Sequence, residues 1–177
     1  MAILETVTPQ QATDKVAAVY GQIQQAFGHV PNAIQLFSVN PDFLEVQWRM
    51  LGYYGQHPTL SFPLLATIRM LVSIDTECAY CVGNNEGMLI NRAGFTPEQV
   101  MAAKADPAQA PLSAKDKAML LFVLKATRHS NSVEAADLDE LRLLGWTDRD
   151  IFDALNHGAQ QGAIDILFNA FKVDKDM

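Results

Sequence analysis

Cysteine is almost absent, with only Cys78 and Cys81 among 177 residues. Two cysteines cannot form the disulfide framework of a small secreted protein, and the expected compartment is the reducing cytoplasm. Long apolar runs are missing as well. No window reaches the roughly 18 apolar residues of a membrane span, and the opening MAILETVTPQQATDK lacks the basic and apolar segments of a signal peptide. A membrane partner is therefore not expected. Basic residues number 13 against 20 acidic ones, and Arg69, Arg92, Lys104, Lys115, Lys117 and Lys125 are scattered, so nothing would attract a phosphate backbone. Nucleic acid is excluded as a partner on that ground. No Asn-Gly or Asp-Gly hairpin signal and no alternating β-branched run occurs, which excludes a sheet protein. Repeats, low-complexity stretches and Gly/Ser linkers are missing too, and the length suits one core; the expectation is a single domain over residues 1–177.

What is present is helical periodicity bracketed by caps, so the fold class expected is all-α, a helical bundle. Thr8-Pro9 opens a helix predicted to run to Phe27, with Val16, Val19, Tyr20, Ile23 and Phe27 on one face and Gly28 as its stop. Asn40-Pro41 starts the next, ending near Tyr53-Tyr54-Gly55. Ser61 precedes FPLLATIRMLVSI, whose broad apolar face predicts a mostly buried helix, and a further helix runs from near Glu77 to Gly94. Thr96-Pro97, Ser113 with Asp116, and Thr147 with Asp150 start the remaining three. Lys104 to Ser113, with two prolines, reads as a loop. The chain thus divides into N-terminal helices 1–60, a core 61–94 and C-terminal helices 95–177. The last helix, IFDALNHGAQQGAIDILFNAF, carries apolar residues over a wider arc than one core face needs, which predicts a second covered surface and a homo-oligomer.

The stretch ECAYCVGNNEG places both cysteines three residues apart. On one helix they lie about 60° apart and one turn removed, so the side chains are neighbours. At a helix start Cys78 meets unpaired N–H groups and the positive end of the dipole, which favour thiolate. Such a pair can attack a peroxide oxygen or a disulfide with one sulfur and resolve the product with the other. A metal clip and two small buried hydrophobes are the competing readings. His29, His57, His129 and His157 are the histidines available for a metal, and none stands in ligand spacing to the pair, so neither a metal nor a cofactor is expected.

FGHVPNAIQLFSVNP, LSFPLLATIRMLVSIDTECAYC and LSAKDKAMLLFVLKATRHSNSVEAADLDELRLLGWTDRDIFDAL together resemble the alkylhydroperoxidase D-like, carboxymuconolactone decarboxylase-related family, in its peroxidase-related branch. The resemblance implies an all-helical subunit in dimers, trimers or hexamers, reducing hydroperoxides through a cysteine pair that a dithiol or thioredoxin-like partner recharges. It implies Cys81 as the attacking sulfur and Cys78 as the resolving one. It also implies a proton relay of a glutamate twelve residues before the first cysteine and a histidine four after the second; here those positions are Ala66 and Asn85. General acid-base help is worth about 10² to 10⁴ in rate, so a slow peroxidase is expected unless another group stands in.

Helical geometry offers few substitutes. Glu86 falls off the cysteine face and is expected to be solvated, and Glu77 and Asp75 are expected as charges near helix ends. Ser73 and Tyr80 could donate hydrogen bonds but are weak bases. His157 shares a polar arc with Asp153, Gln160, Gln161, Asp165 and Asn169, read as the solvated side of the last helix, with His157 reaching the pair as the alternative. Trp48, Tyr53 and Tyr54 read as core, or as the wall of a pocket. The function expected is a cysteine-based oxidoreductase acting on a hydroperoxide or a partner disulfide. Its rivals are a non-peroxidatic helical oligomer with a regulatory or structural CxxC, such as a redox sensor or small-ligand binder, and a carboxymuconolactone decarboxylase-like enzyme.

Overall fold

Five polar residues start helices where the cap chemistry requires. Asn40, Ser61 and Ser113 accept the N–H groups of Phe43, Leu64 and Asp116 through their side-chain oxygens, and Thr96 with Gln99 closes a reciprocal capping box. Thr147 and Asp150 do the same, Asp150 Oδ2 accepting the Thr147 N–H at 3.0 Å and Thr147 Oγ1 accepting the Asp150 N–H at 3.2 Å. Each such cap is worth about 1 kcal/mol. The computed structural model describes residues 2–176, and among them the chain forms nine α-helices and no strand. They are α1 (Asp14–Phe27), α2 (Asn32–Leu36), α3 (Pro41–Gly55), α4 (Phe62–Asp75), α5 (Ala79–Asn91), α6 (Pro97–Ala105), α7 (Ala114–Arg128), α8 (Ala135–Leu143) and α9 (Asp148–Ala170).

The all-α expectation is met, with local differences. α1 begins at Asp14 rather than beside Thr8, because Thr8 and Gln11 close a separate turn and Asp14 enters the helix through a left-handed backbone, φ 48°. α2 and α8 are additional to the expected helices. α8 starts at Glu134, whose backbone N–H donates to Asp137 Oδ2 at 2.8 Å; a glutamate in the cap position gives no ordinary start signal.

The helices fall into two compact units, Met1–Gln56 with Leu167–Met177, and His57–Ile166. The first packs Val16, Val19, Tyr20 and Ile23 of α1 with Leu44 and Phe37, and Phe168 lies 5.9 Å from the Phe37 ring. Trp48, half-buried, sets its ring edge-on to Phe27 and donates to Gln22, so it serves the packing of this unit. In the second unit α4 is central, packed against α5 and α7, and Leu64, Ile68, Met70 and Leu71 are fully enclosed.

Gly158 lets α9 approach α4 and α7. A Cβ there would stand 2.6 Å from Val123 Cγ1 and 3.4 Å from both Ile68 and Thr127 side chains. Val123 and Ile68 are themselves enclosed and have nowhere to move. Gly158→Ala is expected to lower stability by up to about 2 kcal/mol, since overpacking at about 1–3 kcal/mol outweighs a helix-propensity gain of about 1 kcal/mol. Urea unfolding of the two proteins checks the sign: a more stable alanine variant would show that the helices do not meet this closely.

Candidate active site

The turn between α4 and α5 sets the cysteines. Exposed Glu77 adopts a left-handed backbone, φ 55°, and the Cys78 N–H donates to the Ser73 carbonyl at 2.9 Å, closing the end of α4. Cys78 then caps α5, and its carbonyl accepts the Val82 N–H at 3.0 Å. Placement of the first cysteine at a helix start is therefore as the spacing predicts. Both cysteines are free and buried, 1 % and 4 % exposed.

Their sulfurs face each other and a third group, the carboxylate of Asp165 on α9. All three donor atoms lie within 4.8 Å of one another. Asp165 is fully enclosed and held by three donors: Ser73 Oγ to Oδ1 at 3.1 Å, Gln161 Nε2 to Oδ1 at 2.7 Å, and Thr76 Oγ1 to Oδ2 at 2.7 Å. Gln161 also donates to Ser73 Oγ at 3.2 Å, which orients the serine hydroxyl toward Asp165. This leaves the carboxylate with one acceptor direction on Oδ2 that no hydroxyl or amide fills.

The thiols are driven apart in acidity. The Cys81 thiol donating to its sulfur holds Cys78 below the ordinary thiol range, the Cys81 backbone N–H adding to the effect, while burial and Asp165 oppose it. Cys81 is pushed well above that range, first because Cys78 holds its S–H, then by burial and by Asp165. Hydrogen bonding thus favours the thiolate on Cys78, opposite to the roles that the family resemblance implies.

The two relay positions behave differently. Ala66 is enclosed in α4 and offers no polar atom. Asn85 donates to the Cys81 carbonyl at 2.8 Å and accepts from Arg69 Nε at 2.7 Å, so it braces the first turns of α5 and does not titrate. Arg69 Nη1 donates to His157 Nε2 at 3.2 Å, and Nη2 meets Met88 Sδ at 3.7 Å. Arg69 is packed round by protein yet keeps part of its surface open, and among the described residues it makes no ion pair with a carboxylate. Burial pushes it down to about 10, the Cys81 charge opposing and Arg92 adding, so it stays cationic at neutral pH. Burial, with Arg69 beside it, pushes His157 down to about 3 and keeps the imidazole neutral, against a hydrogen bond to the Leu65 backbone.

Here the polar arc of α9 corrects the sequence reading. Asp153, His157, Gln161 and Asp165 are all buried, while Phe152 and Ile166 are 68 % and 64 % exposed. The polar stripe faces inward because α4 and its C-terminal cap supply Arg69, Ser73 and Thr76 to satisfy it. Above it His57 Nε2 lies 3.2 Å from Asp153 Oδ2, and the His57 Nδ1 accepts the Leu60 N–H at 3.1 Å, fixing the loop before α4.

The remaining candidates have other work. Glu86 is half-buried in an ion pair with Lys104, not freely solvated, and Asp75 is held by Arg128 in two hydrogen bonds. Tyr80 is buried in α5, and His29 and His129 are exposed. A depression of about 320 Å³ lined by Gly83, Asn84, Gly87, Met88, Asn91 and Arg92 runs along α5 and includes neither cysteine. Asp165 and Gln161 are the site residues that sequence reasoning missed; Gly158, whose missing Cβ lets that face of α9 approach its neighbours, was the available signal.

No family model and no curated protein matches the chain. Solved structures do. An uncharacterized peroxidase-related protein from Silicibacter sp. TM1040 is similar at 25% identity with a TM-score of 0.86, covering 99% of this chain and 92% of that one. A peroxidase-related protein with an alkylhydroperoxidase AhpD core, from Ralstonia eutropha JMP134, is 21% identical with a TM-score of 0.79, over 98% of this chain and 94% of its own. A variant of the debrominase Bmp8 in complex with 2,3,4-tribromopyrrole is 20% identical with a TM-score of 0.75, over 99% and 94%. No helix among the described residues is long and apolar enough to cross a membrane.

Proposed function

From the alkylhydroperoxidase D-like fold, which this chain shares over nearly its whole length, we propose that it is a cysteine-based oxidoreductase in which Cys78 and Cys81 reduce an organic hydroperoxide or a partner disulfide. The observation that supports this reading is the meeting of two sulfurs and the Asp165 carboxylate within 4.8 Å. In the peroxide reaction the Cys78 thiolate attacks one peroxide oxygen, the O–O bond breaks, and the departing alkoxide leaves as the alcohol after taking a proton. Cys81 then attacks the sulfenic sulfur of Cys78. Its proton passes by way of Asp165, hydroxide departs as water, and the disulfide that forms is reduced with two electrons by a dithiol or thioredoxin-like partner. Asp165 stands in for the proton acceptor that Ala66 and Asn85 do not supply. Because both sulfurs are enclosed, small peroxides react ahead of bulky thiol reagents, and local opening of the α4–α5 turn admits the reductant. The protein is a cytoplasmic homo-oligomer in this reading, and exposed Phe152 and Ile166 on α9 support a covered surface there.

The test is a thiol titration before and after a stoichiometric pulse of a small organic peroxide, tert-butyl hydroperoxide. Rapid loss of both thiols in the parent protein is expected, with a sulfenic acid trapped in Cys81→Ser, where Cys78 remains. Trapping only in Cys78→Ser would restore the roles implied by the resemblance. Thiol loss no faster than that of a small free thiol would sink the enzyme and leave a structural or sensing pair.

A further inference from the structure

Beyond the redox chemistry, the geometry points to Cys78, Cys81 and Asp165 as a binding site for one thiophilic d¹⁰ cation, with Zn²⁺ as the ligand class. Two thiolates one helical turn apart form half of a tetrahedral set, and a carboxylate oxygen supplies a third donor, leaving the open fourth position of a three-ligand site. The donor atoms, within 4.8 Å of one another, need to close to the roughly 3.7 Å that tetrahedral bonds of about 2.3 Å impose on two sulfurs. Side-chain torsions of Cys81 and Asp165 can provide that. Sulfur donors favour zinc over magnesium or calcium.

Two features around the donors fit a metal better than they fit packing. Ser73 and Gln161 both bind Asp165 Oδ1 and Thr76 binds Oδ2, so the carboxylate is held in place beside the sulfurs, with no further hydroxyl or amide bound to Oδ2 among the described residues. Charge is the other. Two thiolates, one carboxylate and Zn²⁺ sum to one negative charge in an enclosed place, and Arg69, linked to the Cys81 carbonyl through Asn85 and making no ion pair with a carboxylate among the described residues, is the cation that balances it. Loading releases the thiol protons. Where the redox reading of the pair also holds, zinc would shield the thiolates: a hydroperoxide and two protons convert the loaded site to disulfide, free Zn²⁺, an alcohol and water.

The experiment is an equilibrium titration of the reduced, chelator-treated full chain with Co²⁺, followed by displacement with Zn²⁺. One Co²⁺ per chain is expected, with a near-ultraviolet thiolate-to-cobalt band that vanishes in Cys78→Ser and in Cys81→Ser. Asp165→Asn should weaken binding at least tenfold. Ser73→Ala, which keeps every ligand and is the safer variant for folding, should weaken it about 10- to 100-fold. Absence of the band, a site surviving loss of either cysteine, or unchanged affinity in both Asp165→Asn and Ser73→Ala would overturn the inference. Hydroperoxide reactivity of the chelated protein is read separately: thiols that react but bind no cobalt defeat the metal site alone, and cobalt binding by unreactive thiols defeats the redox reading alone.

Discussion

Asp165→Asn is expected to slow closure of the Cys78–Cys81 disulfide by about 10² to 10⁴, the usual worth of a positioned general base. The reason lies in what Cys81 must do. Its S–H is held by Cys78 and buried, conditions that keep it protonated, so the resolving step needs a nearby acceptor, and the carboxylate within 4.8 Å of both sulfurs is Asp165. Asparagine keeps the size but cannot take the proton, and its amide N–H would oppose one of the donors Ser73, Thr76 or Gln161. A change of rate alone would not separate proton transfer from distortion. The solvent isotope effect does: closure in the parent protein should be slower in D₂O than in H₂O, and that difference should shrink in Asp165→Asn while the initial attack by Cys78 on a small peroxide changes far less. Equal isotope effects in both proteins would reduce Asp165 to a structural acceptor. Ser73→Ala provides the control, since it loosens the carboxylate without removing it, and should show an intermediate rate with the isotope effect retained.

The parts of this molecule legible in the sequence are those decided within a turn or two of chain. Asn40, Ser61, Thr96, Ser113 and Thr147 cap the helices they were expected to cap because a hydroxyl or amide three residues from a free N–H needs no distant partner. The cysteine pair was visible for the same reason. The stripe Asp153, His157, Gln161 and Asp165 was misread because a polar line on a helix has one periodicity whether it faces water or a buried network. Which it faces is settled by Arg69, Ser73 and Thr76, some 88 to 92 residues away in the chain. The missing relay residues point the same way. A search along α4 and α5 finds Ala66 and Asn85 and stops, whereas the carboxylate arrives from α9, where the one local sign is Gly158, two turns before it.

The inward stripe has a second consequence, in acid. Between neutral pH and pH 4 the protein is expected to lose about 3 kcal/mol of stability through His157 alone. The imidazole accepts from Arg69 Nη1 through Nε2, so its proton is on Nδ1, toward the Leu65 backbone. A second proton would place a cation against the Arg69 guanidinium, with His57 also contributing positive charge, in a site that excludes water. In the folded chain the group therefore titrates at about 3, against about 6.5 in the unfolded chain. With the folded value depressed, the unfolded state takes up the proton first; the contribution is fully present above about 6.5, falls as pH drops, and is exhausted near the folded value. At pH 4 the difference is about 2.5 pH units at about 1.4 kcal/mol each, a large share of the roughly 5–15 kcal/mol that holds a domain folded. Carboxylates such as Asp42, Asp137 and Asp148, held low by Lys15, Lys125 and Arg142, add their own acid sensitivity, so the parent protein alone cannot isolate the effect. His157→Gln can, because the glutamine carbonyl still accepts from Arg69 and never titrates. Urea midpoints at pH 7 and pH 4 should lie closer together in the variant than in the parent, and equal pH dependence in both would mean that His157 is open to solvent in solution and that the polar stripe of α9 does not face inward.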